Sequence, residues 1–221
     1  MGVAGVDTRD YPGNNIMHWL FENTNLKWTG FYLTPAPCQG EERGWMSKYD
    51  DLKNMGWGFA PIFVGQQPPG HNCASNILTE AQGTKDAELA TNLSSSAGFV
   101  DGSVIYLDIE SGSLSNEFML YITGWIGEMI SINKYSPGVY CSHRNANKLK
   151  NESLAAAFWV WKIEKLCPPP PFPTDPPSNS GIKFANVWQR YQNCVIDAGG
   201  TRINVDLNTS TTSNPSMFHY K

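Results

Sequence analysis

The stretch SVIYLDIE, residues 103–110, is the clearest predicted β-strand in this 221-residue sequence. Side chains alternate across a strand, so Asp108 and Glu110 share one face, whereas Leu107 and Ile109 share the other. The apolar face suits a covering layer of helices, and the acidic face then points into the interior of a barrel, near the carboxyl end of the strand. Two residues of strand separate the Asp108 and Glu110 backbones by about 6.6 Å, so both carboxyl groups can reach one ligand.

Similar short apolar runs recur along the chain, and the earlier ones are separated by helical stretches. The predicted strands are residues 2–7, 27–33, 60–65, 103–109, 137–141, 155–161, 184–191 and 202–207, and the predicted helices are residues 14–22, 45–55, 79–97 and 115–133. Strands that alternate with helices predict a parallel sheet, and eight of them close an irregular α/β barrel of the (β/α)8 TIM type, with degenerate C-terminal units. A doubly wound open sheet is the alternative, but no Gly-rich phosphate loop follows the first strand.

We expect residues 1–221 to form a single barrel domain. The sequence is 41% hydrophobic and 16% charged, which is enough apolar material for a sizeable core. The Pro-rich segment at about 168–180 contains PPPPFPTDPP and is predicted to be a stiff, exposed loop. The polar tail at about 209–221 is predicted to be loosely held.

Charge and hydropathy exclude two classes of partner. The net charge is −4, and no cluster of Lys and Arg is present, so nucleic acid is not an expected partner. No apolar run is long enough to span a bilayer.

The first seven residues lack the features of a signal peptide. We expect a monomer.

Two further acids end predicted strands, Asp7 in the first and Asp206 in the last. The first and last strands are neighbours in a closed barrel, so these acids can converge with Asp108 and Glu110 at one mouth. Crowded carboxyl groups resist joint ionisation, which raises at least one pKa and allows one group to act as a general acid. We therefore predict a catalytic set of these four residues for glycoside hydrolysis. Each acid, taken alone, could instead form an Asx turn or cap a helix.

Aromatic and amide side chains near the predicted mouth are candidates for binding sugar, because aromatic faces stack on sugar rings and polar tips donate hydrogen bonds. The predicted substrate-binding residues are Tyr32, Gln66, Tyr106, Tyr140 and Trp188. The alternative for the aromatic residues is a structural role in the layers of the barrel, and a loop role for Gln66.

The cysteine and histidine patterns predict neither a metal nor a cofactor. The 5 cysteines are Cys38, Cys73, Cys141, Cys167 and Cys194. None forms a CxxC pair, and no HxH or HExxH spacing is present. Cys167 and Cys194 could form a disulfide across the Pro-rich loop, and one cysteine is left over. A Cys141–His143 catalytic pair is disfavoured, because such pairs are assembled in space rather than in sequence.

Five segments carry a family resemblance. They are GVDTRDY at 5–11, WTGFYL at 28–33, APIFVGQQ at 60–67, VIYLDIE at 104–110 and PGVYCS at 137–142. Together they resemble a microbial domain family of unknown function that is labelled glycoside hydrolase-like. Trp188-Gln189 and the segment 205–208 fit its last strands.

That family is similar to the family-25 lysozymes, irregular barrels that cleave peptidoglycan between muramic acid and glucosamine units. The resemblance implies that Glu110 is the general acid/base and that Asp108 stabilises an oxazolinium-like intermediate formed by the substrate's acetamido group. Asp7 and Asp206 match acidic positions that line the cleft. The resemblance also implies a secreted or cell-envelope protein whose partner is peptidoglycan or a chitin-like glycan.

Two alternatives to a glycosidase remain open at this point. A non-catalytic glycan-binding barrel would keep the cleft but have badly spaced or salt-bridged acids. A different hydrolase or interaction module would be favoured if the loop at 168–177 blocked the mouth.

Overall fold

A computed structural model describes residues 1–38, 43–71, 73–75 and 77–217, and within them eight strands form one closed barrel in chain order. The strands are β1 Val3–Asp7, β2 Trp28–Tyr32, β3 Gly58–Phe63, β4 Val104–Ile109, β5 Ser136–Ser142, β6 Ala157–Trp161, β7 Val187–Ala198 and β8 Thr201–Ser210. The helices are α1 Asn14–Asn23, α2 Tyr49–Met55, α3 Glu80–Ala97, α4 Asn116–Ile132 and α5 Ala146–Glu152, with a 3-10 turn at Pro177–Ser180. The predicted α/β barrel is confirmed.

The last strand departs from the prediction of a parallel sheet. Strands β1 to β7 run parallel to their sequential neighbours, but β8 is antiparallel to both β7 and β1. Gly199 and Gly200 join β7 to β8 with φ angles of 65° and 90°. Positive φ at both central residues is the conformation that a two-residue hairpin turn requires, and glycine adopts it without strain. A hairpin therefore replaces the last helical crossover.

Helix boundaries follow local capping chemistry. The hydroxyl groups of Thr79 and Ser115 accept backbone N–H groups at the starts of α3 and α4, and Gly98 ends α3 with a φ of 98°. Helix α2 begins later than predicted, because Trp45 is instead buried in the core with its indole N–H bonded to a backbone carbonyl. Helix α5 was not predicted.

The two faces of each strand pack into different layers. Residues that point inward form one cluster in the barrel, which includes Trp28, Ile62, Tyr106, Trp159 and Val187. Leu107 and Ile109 belong to the larger outer cluster between the strands and the helices. The predicted faces of β4 are therefore confirmed.

The polar C-terminal segment is not loose where it is described, because residues 213–217 close the base of the barrel. The Ser216 backbone N–H donates to the Phe59 carbonyl at 2.7 Å, and the Asn214 side chain accepts the Phe59 N–H at 3.0 Å. The Tyr106 hydroxyl donates to the Pro215 carbonyl at 3.0 Å. We call residues 213–217 the base plug. Residues 218–221 lie outside the described residues.

The Pro-rich segment covers the outside of the barrel. Phe172 is buried in the outer cluster, and its backbone exchanges two 2.7 Å hydrogen bonds with the Asn25 side chain. Asp175 forms an ion pair with Arg190 of β7. The predicted exposure holds at residues 169–171, whereas the following residues pack where a helix would otherwise cover β7 and β8.

None of the helices in the described part of the chain combines the length and apolar character needed to cross a membrane.

Candidate active site

Four carboxyl groups lie at the mouth of the barrel, which is the end where β1 and β4 finish. Asp7 is the last residue of β1, and Glu110 directly follows β4. Asp206 is paired in register with Asp7 across the β1–β8 ladder, so the antiparallel β8 still delivers its acid to this end. Asp7 and Asp108 are buried, whereas the Glu110 side chain is 43% exposed.

Asp7 is held by two donors. The Tyr32 hydroxyl donates to Oδ1 at 3.2 Å, and the Asn208 amide donates to Oδ2 at 2.7 Å. Burial raises the pKa of Asp7 well above its usual value, and the neighbouring Asp206 carboxyl raises it further. The two hydrogen bonds act in the opposite direction, because they stabilise the ionised form.

Asp108 is the most isolated acid of the set. Its Oδ1 is buried without a hydrogen-bond partner among the described residues, although its backbone carbonyl accepts the Gln67 amide at 2.9 Å. Burial raises the pKa of Asp108 well above its usual value, with further contributions from Glu110 and Asp7. A buried acceptor without a partner is uncommon in folded proteins and is expected where a ligand or an ordered water completes the site.

Asp206 is positioned by an irregularity in β7. The β7–β8 register shifts between Gln189 and Cys194, and Asn193 adopts a φ of 57°. This bulge turns the Asn193 N–H toward Asp206, where it donates at 2.7 Å, and the Gln189 amide donates to the other carboxyl oxygen. Burial nevertheless raises the pKa of Asp206 to about 6.

Tyr140 and Gln189 form a chain of hydrogen bonds that ends on Asp206. The Tyr140 hydroxyl donates to Gln189, whose amide donates in turn to Asp206. Burial and the nearby Asp108 raise the pKa of Tyr140 well above its usual value, so it remains a neutral hydroxyl donor. Neither Gln189 nor Asn208 was predicted as a site residue. The two-residue period from Asp206 could have identified Asn208, because both share one face of β8.

Glu110 contacts a histidine that the sequence did not indicate. Nε2 of His71, in the loop after β3, lies against a Glu110 carboxyl oxygen. Nδ1 of His71 accepts the backbone N–H of Cys73 at 3.3 Å, so the ring proton is on the nitrogen that faces the carboxylate. Residues 71 and 110 are far apart in sequence, and no motif connects them.

Three of the five predicted substrate-binding residues lie away from the mouth. Tyr106 bonds to the base plug, one inward position below Asp108. The Gln66 amide donates to Asp86 of α3 at 3.1 Å, and Trp188 packs in the outer cluster. Of the five, Tyr32 and Tyr140 lie beside the acids.

Two clefts border the acids. One has a volume of about 260 Å³ and is lined by Glu110, Tyr140, Trp161, Ile163, Gln189 and Gln192. The other, of about 420 Å³, is lined by Asp7, Thr8, Arg9, Asp10, Tyr32, Asn193, Asn204, Val205 and Asp206. The hydrogen bond between Gln189 and Asp206 joins their walls. No residue of the segment 168–177 lines either cleft, so the Pro-rich loop does not block the mouth.

The cysteines divide into two disulfides and one buried thiol. Cys167 pairs with Cys194, as the sequence allowed, and Cys38 pairs with Cys73. Cys141 is fully buried in the outer cluster, and burial raises the pKa of its thiol. A buried neutral thiol is a poor nucleophile, so the disfavoured Cys141–His143 pair is not supported.

Solved structures with the same fold include a secreted protein, a glycosyl hydrolase and an autolysin. The Tat-secreted protein Rv2525c of Mycobacterium tuberculosis, in complex with L-tartrate, is 17% identical, with a TM-score of 0.67 over 95% of both chains. GHIP of Streptococcus pneumoniae, a glycosyl hydrolase 25, is 13% identical, with a TM-score of 0.62 over 93% of this chain and 85% of that one. The modular autolysin LytC of the same species, in complex with a synthetic peptidoglycan ligand, is 14% identical, with a TM-score of 0.61 over 94% of this chain and 46% of that one.

At these identities the similarity establishes the fold alone. A search of curated proteins found no significant match. The model of the Rv2525c-like, glycoside hydrolase-like domain matches residues 21–210, a range that contains Asp108, Glu110 and Asp206, whereas Asp7 precedes it. This match covers most of the chain, and the protein therefore belongs to the Rv2525c-like family of glycoside hydrolase-like domains, whose fold is related to that of the family-25 lysozymes.

Proposed function

We propose that this protein hydrolyses glycosidic bonds in an N-acetylated cell-wall glycan such as peptidoglycan. The observation that carries the proposal is the convergence of four carboxyl groups from β1, β4 and β8 at one mouth bordered by two clefts. Glycoside hydrolysis needs carboxyl groups in different environments, because one must donate a proton while another stabilises positive charge. The mouth offers this contrast between exposed Glu110 and buried Asp108.

Glu110 is the proposed general acid/base. Its carboxyl group is the most accessible of the four and borders the cleft that holds Tyr140 and Trp161. A glycosidic oxygen in this cleft can therefore come within reach of the Glu110 proton, and the same group can then activate the attacking water.

Asp108 is the proposed assistant. Its unpartnered Oδ1 suits the N–H of a substrate acetamido group, which is a donor that only an N-acetylated sugar supplies. A carboxylate at this position would orient the acetamido oxygen toward the anomeric carbon and stabilise the positive charge of an oxazolinium-like intermediate. The raised pKa of Asp108 matches a group that is stabilised in its charged form only when substrate is bound.

Two comparisons support the substrate class. GHIP is described as a glycosyl hydrolase 25, and LytC was solved with a synthetic peptidoglycan ligand. The Gln189–Asp206 hydrogen bond lies between the two clefts, so a linear glycan would need to pass over it to place sugars in both. Trp161 is half-buried in the wall of the cleft beside Glu110, and the accessible part of its indole ring suits stacking on a sugar ring.

Export to the cell envelope is part of the proposal. Rv2525c, with which this chain shares its fold, is a Tat-secreted protein. The disulfides Cys38–Cys73 and Cys167–Cys194 are typical of proteins that work in an oxidising compartment.

One observation favours a second candidate, a barrel that binds glycan without cleaving it. The carboxyl group of Glu110 already has a partner in His71, whose side chain is 25% exposed. An acid that stays paired with this imidazole cannot donate its proton to a glycosidic oxygen, so the clefts would bind sugar and release it unchanged.

The two candidates are separated by incubating the purified protein with peptidoglycan and with chitin-type oligosaccharides, and analysing new reducing ends by mass spectrometry. Cleavage that disappears in Glu110→Gln would support the glycosidase and identify the bond. Retained binding of the same glycans without new reducing ends would favour the binding barrel, and neither binding nor cleavage would overturn both candidates.

A further inference from the structure

Two cysteines and a histidine meet beside Glu110. The sulfur atoms of Cys38 and Cys73 and one ring nitrogen of His71 lie within 4.8 Å of one another, and all three residues are half-buried. The Cys38 backbone N–H bonds to the Val64 carbonyl at 3.2 Å, which ties it to the end of β3. His71 and Cys73 lie in the loop that follows this strand. We call these three residues the Cys-His cluster.

The imidazole of His71 is oriented as in metal sites. Nδ1 lies 3.2 Å from the sulfur of Cys73 and 4.0 Å from that of Cys38. Nε2 carries the proton and contacts the Glu110 carboxylate. A histidine that binds a metal through one nitrogen commonly donates its other N–H to a carboxylate, which fixes the ring and increases its basicity.

We propose that the Cys-His cluster binds one soft divalent cation of the zinc type when the Cys38–Cys73 disulfide is reduced. A dithiol supplies the two electrons and two protons that convert the disulfide into two thiols, and is itself oxidised to a disulfide. Each thiol releases its proton when the cation binds, because the thiolate is the ligand. The disulfide and the metal site are therefore alternative states of the same residues.

The distances suit a tetrahedral ion. Zinc with ligands at about 2.3 Å for sulfur and 2.0 Å for nitrogen separates a sulfur from a nitrogen by about 3.5 Å and two sulfurs by about 3.8 Å. The two nitrogen–sulfur distances bracket the first value. The sulfur–sulfur distance of about 3.8 Å requires the two reduced cysteine side chains to move apart. Rotation about χ1 allows this, because both residues are half-buried.

The Cys-His cluster provides three protein ligands, and a fourth would come from water or an external ligand. A cavity of about 220 Å³ lies against His71 and Glu110 and is otherwise lined by Pro68, Pro69, Gly70, Ser111 and Gly112. This cavity borders the side of the imidazole that faces Glu110, and neither cysteine lines it. The site does not require glycosidase activity, and it suits the chain in a reducing compartment, whereas the disulfide suits an oxidising one.

The test is a titration of the full chain with Co²⁺ and Zn²⁺, after reduction by a dithiol and anaerobic removal of the reductant. We expect one ion per chain and the sulfur-to-cobalt charge-transfer absorption that thiolate ligands produce. Oxidised protein should bind neither ion at this site. A Cys167→Ser/Cys194→Ser variant is the matched control, since it lacks the other disulfide and should keep full affinity.

Three variants assign the ligands. Cys73→Ser and His71→Ala should each weaken binding by at least about tenfold, and Glu110→Gln by about tenfold through loss of the carboxylate that accepts the His71 N–H. Absence of stoichiometric binding by the reduced protein would overturn the proposal. Equal metal affinity in His71→Ala would also overturn the proposal, because the cysteine thiols would then bind the ion without the imidazole.

Discussion

The two ends of this barrel treat polar groups in opposite ways. At the base, the plug gives a partner to the N–H of Phe59 and to the hydroxyl of Tyr106. At the mouth, Asp108 keeps a buried oxygen that lacks a partner among the described residues, and burial raises the pKa of three carboxyl groups. The base contributes stability, whereas the mouth retains groups whose charged forms destabilise the fold. Such groups are expected where a ligand completes the site.

Asp108→Asn should have the largest effect and should separate function from stability. Loss of the charge should reduce glycan cleavage by about 10²- to 10³-fold. The free energy of unfolding at pH 7 should stay the same or rise, because the ionised carboxylate is no longer buried. Reducing-end assays and urea unfolding measure the two effects. A large loss of stability would contradict the contrast between mouth and base.

Asn214→Ala is the matched change at the base. It removes the acceptor for the Phe59 N–H and a partner of the Ser216 hydroxyl, so unfolding should become easier by about 1 to 3 kcal/mol. Activity per folded molecule should not change, since residue 214 lies at the opposite end from the acids. Urea unfolding checks the first expectation, and an assay at equal folded concentration checks the second.

The pH dependence of the free energy of unfolding should reveal the raised pKa of Asp206 at the mouth. The pKa of Asp206 is raised from 3.8 to about 6, so between these values the folded state binds more protons than the unfolded state. The free energy of unfolding must therefore fall as pH rises through this window. In Asp206→Asn the decrease in unfolding free energy over this window should be smaller by about 1 kcal/mol. This value is reduced for solvent screening, because the group is half-buried. Urea unfolding at pH 4 and pH 7 provides the comparison, and an unchanged slope would contradict it.

Two tryptophans provide the smallest test. Trp161 borders the cleft beside Glu110, whereas Trp188 packs in the outer cluster. Trp161→Ala should weaken glycan binding by about two- to tenfold, because one stacking face is lost. Trp188→Ala should lower stability and leave affinity unchanged in the protein that remains folded. Calorimetric titration with a chitin-type oligosaccharide distinguishes them, and equal losses of affinity would place Trp188 in the site after all.

The sequence was informative wherever a strand period was clear. Alternation in β4 sets the inward face of Asp108 and the outward faces of Leu107 and Ile109, and strand order makes Asp7 and Asp206 neighbours. The Gly199-Gly200 pair between two predicted strands is also typical of a two-residue hairpin, which the prediction of a parallel sheet did not include.

The remaining site residues depend on three-dimensional details that a period does not encode. Trp188 and Gln189 are adjacent, and only the β7–β8 pairing decides which of them faces the mouth. His71 reaches Glu110 through a loop whose path no local pattern predicts. The polar composition of the base plug predicted a loosely held segment. The plug is instead held by hydrogen bonds of its backbone and of the Asn214 side chain, which composition does not reveal.

The pairing of β8 with β1 also sets a time order for the protein. Asp7 leaves the ribosome long before Asp206 does, yet the two are directly opposite each other in the ladder. A nascent chain that has not yet released β8 leaves one edge of β1 unpaired and lacks one wall of the cleft that Asp206 lines. The mouth can therefore form only after translation has passed β8, so a partly synthesised chain has no assembled site.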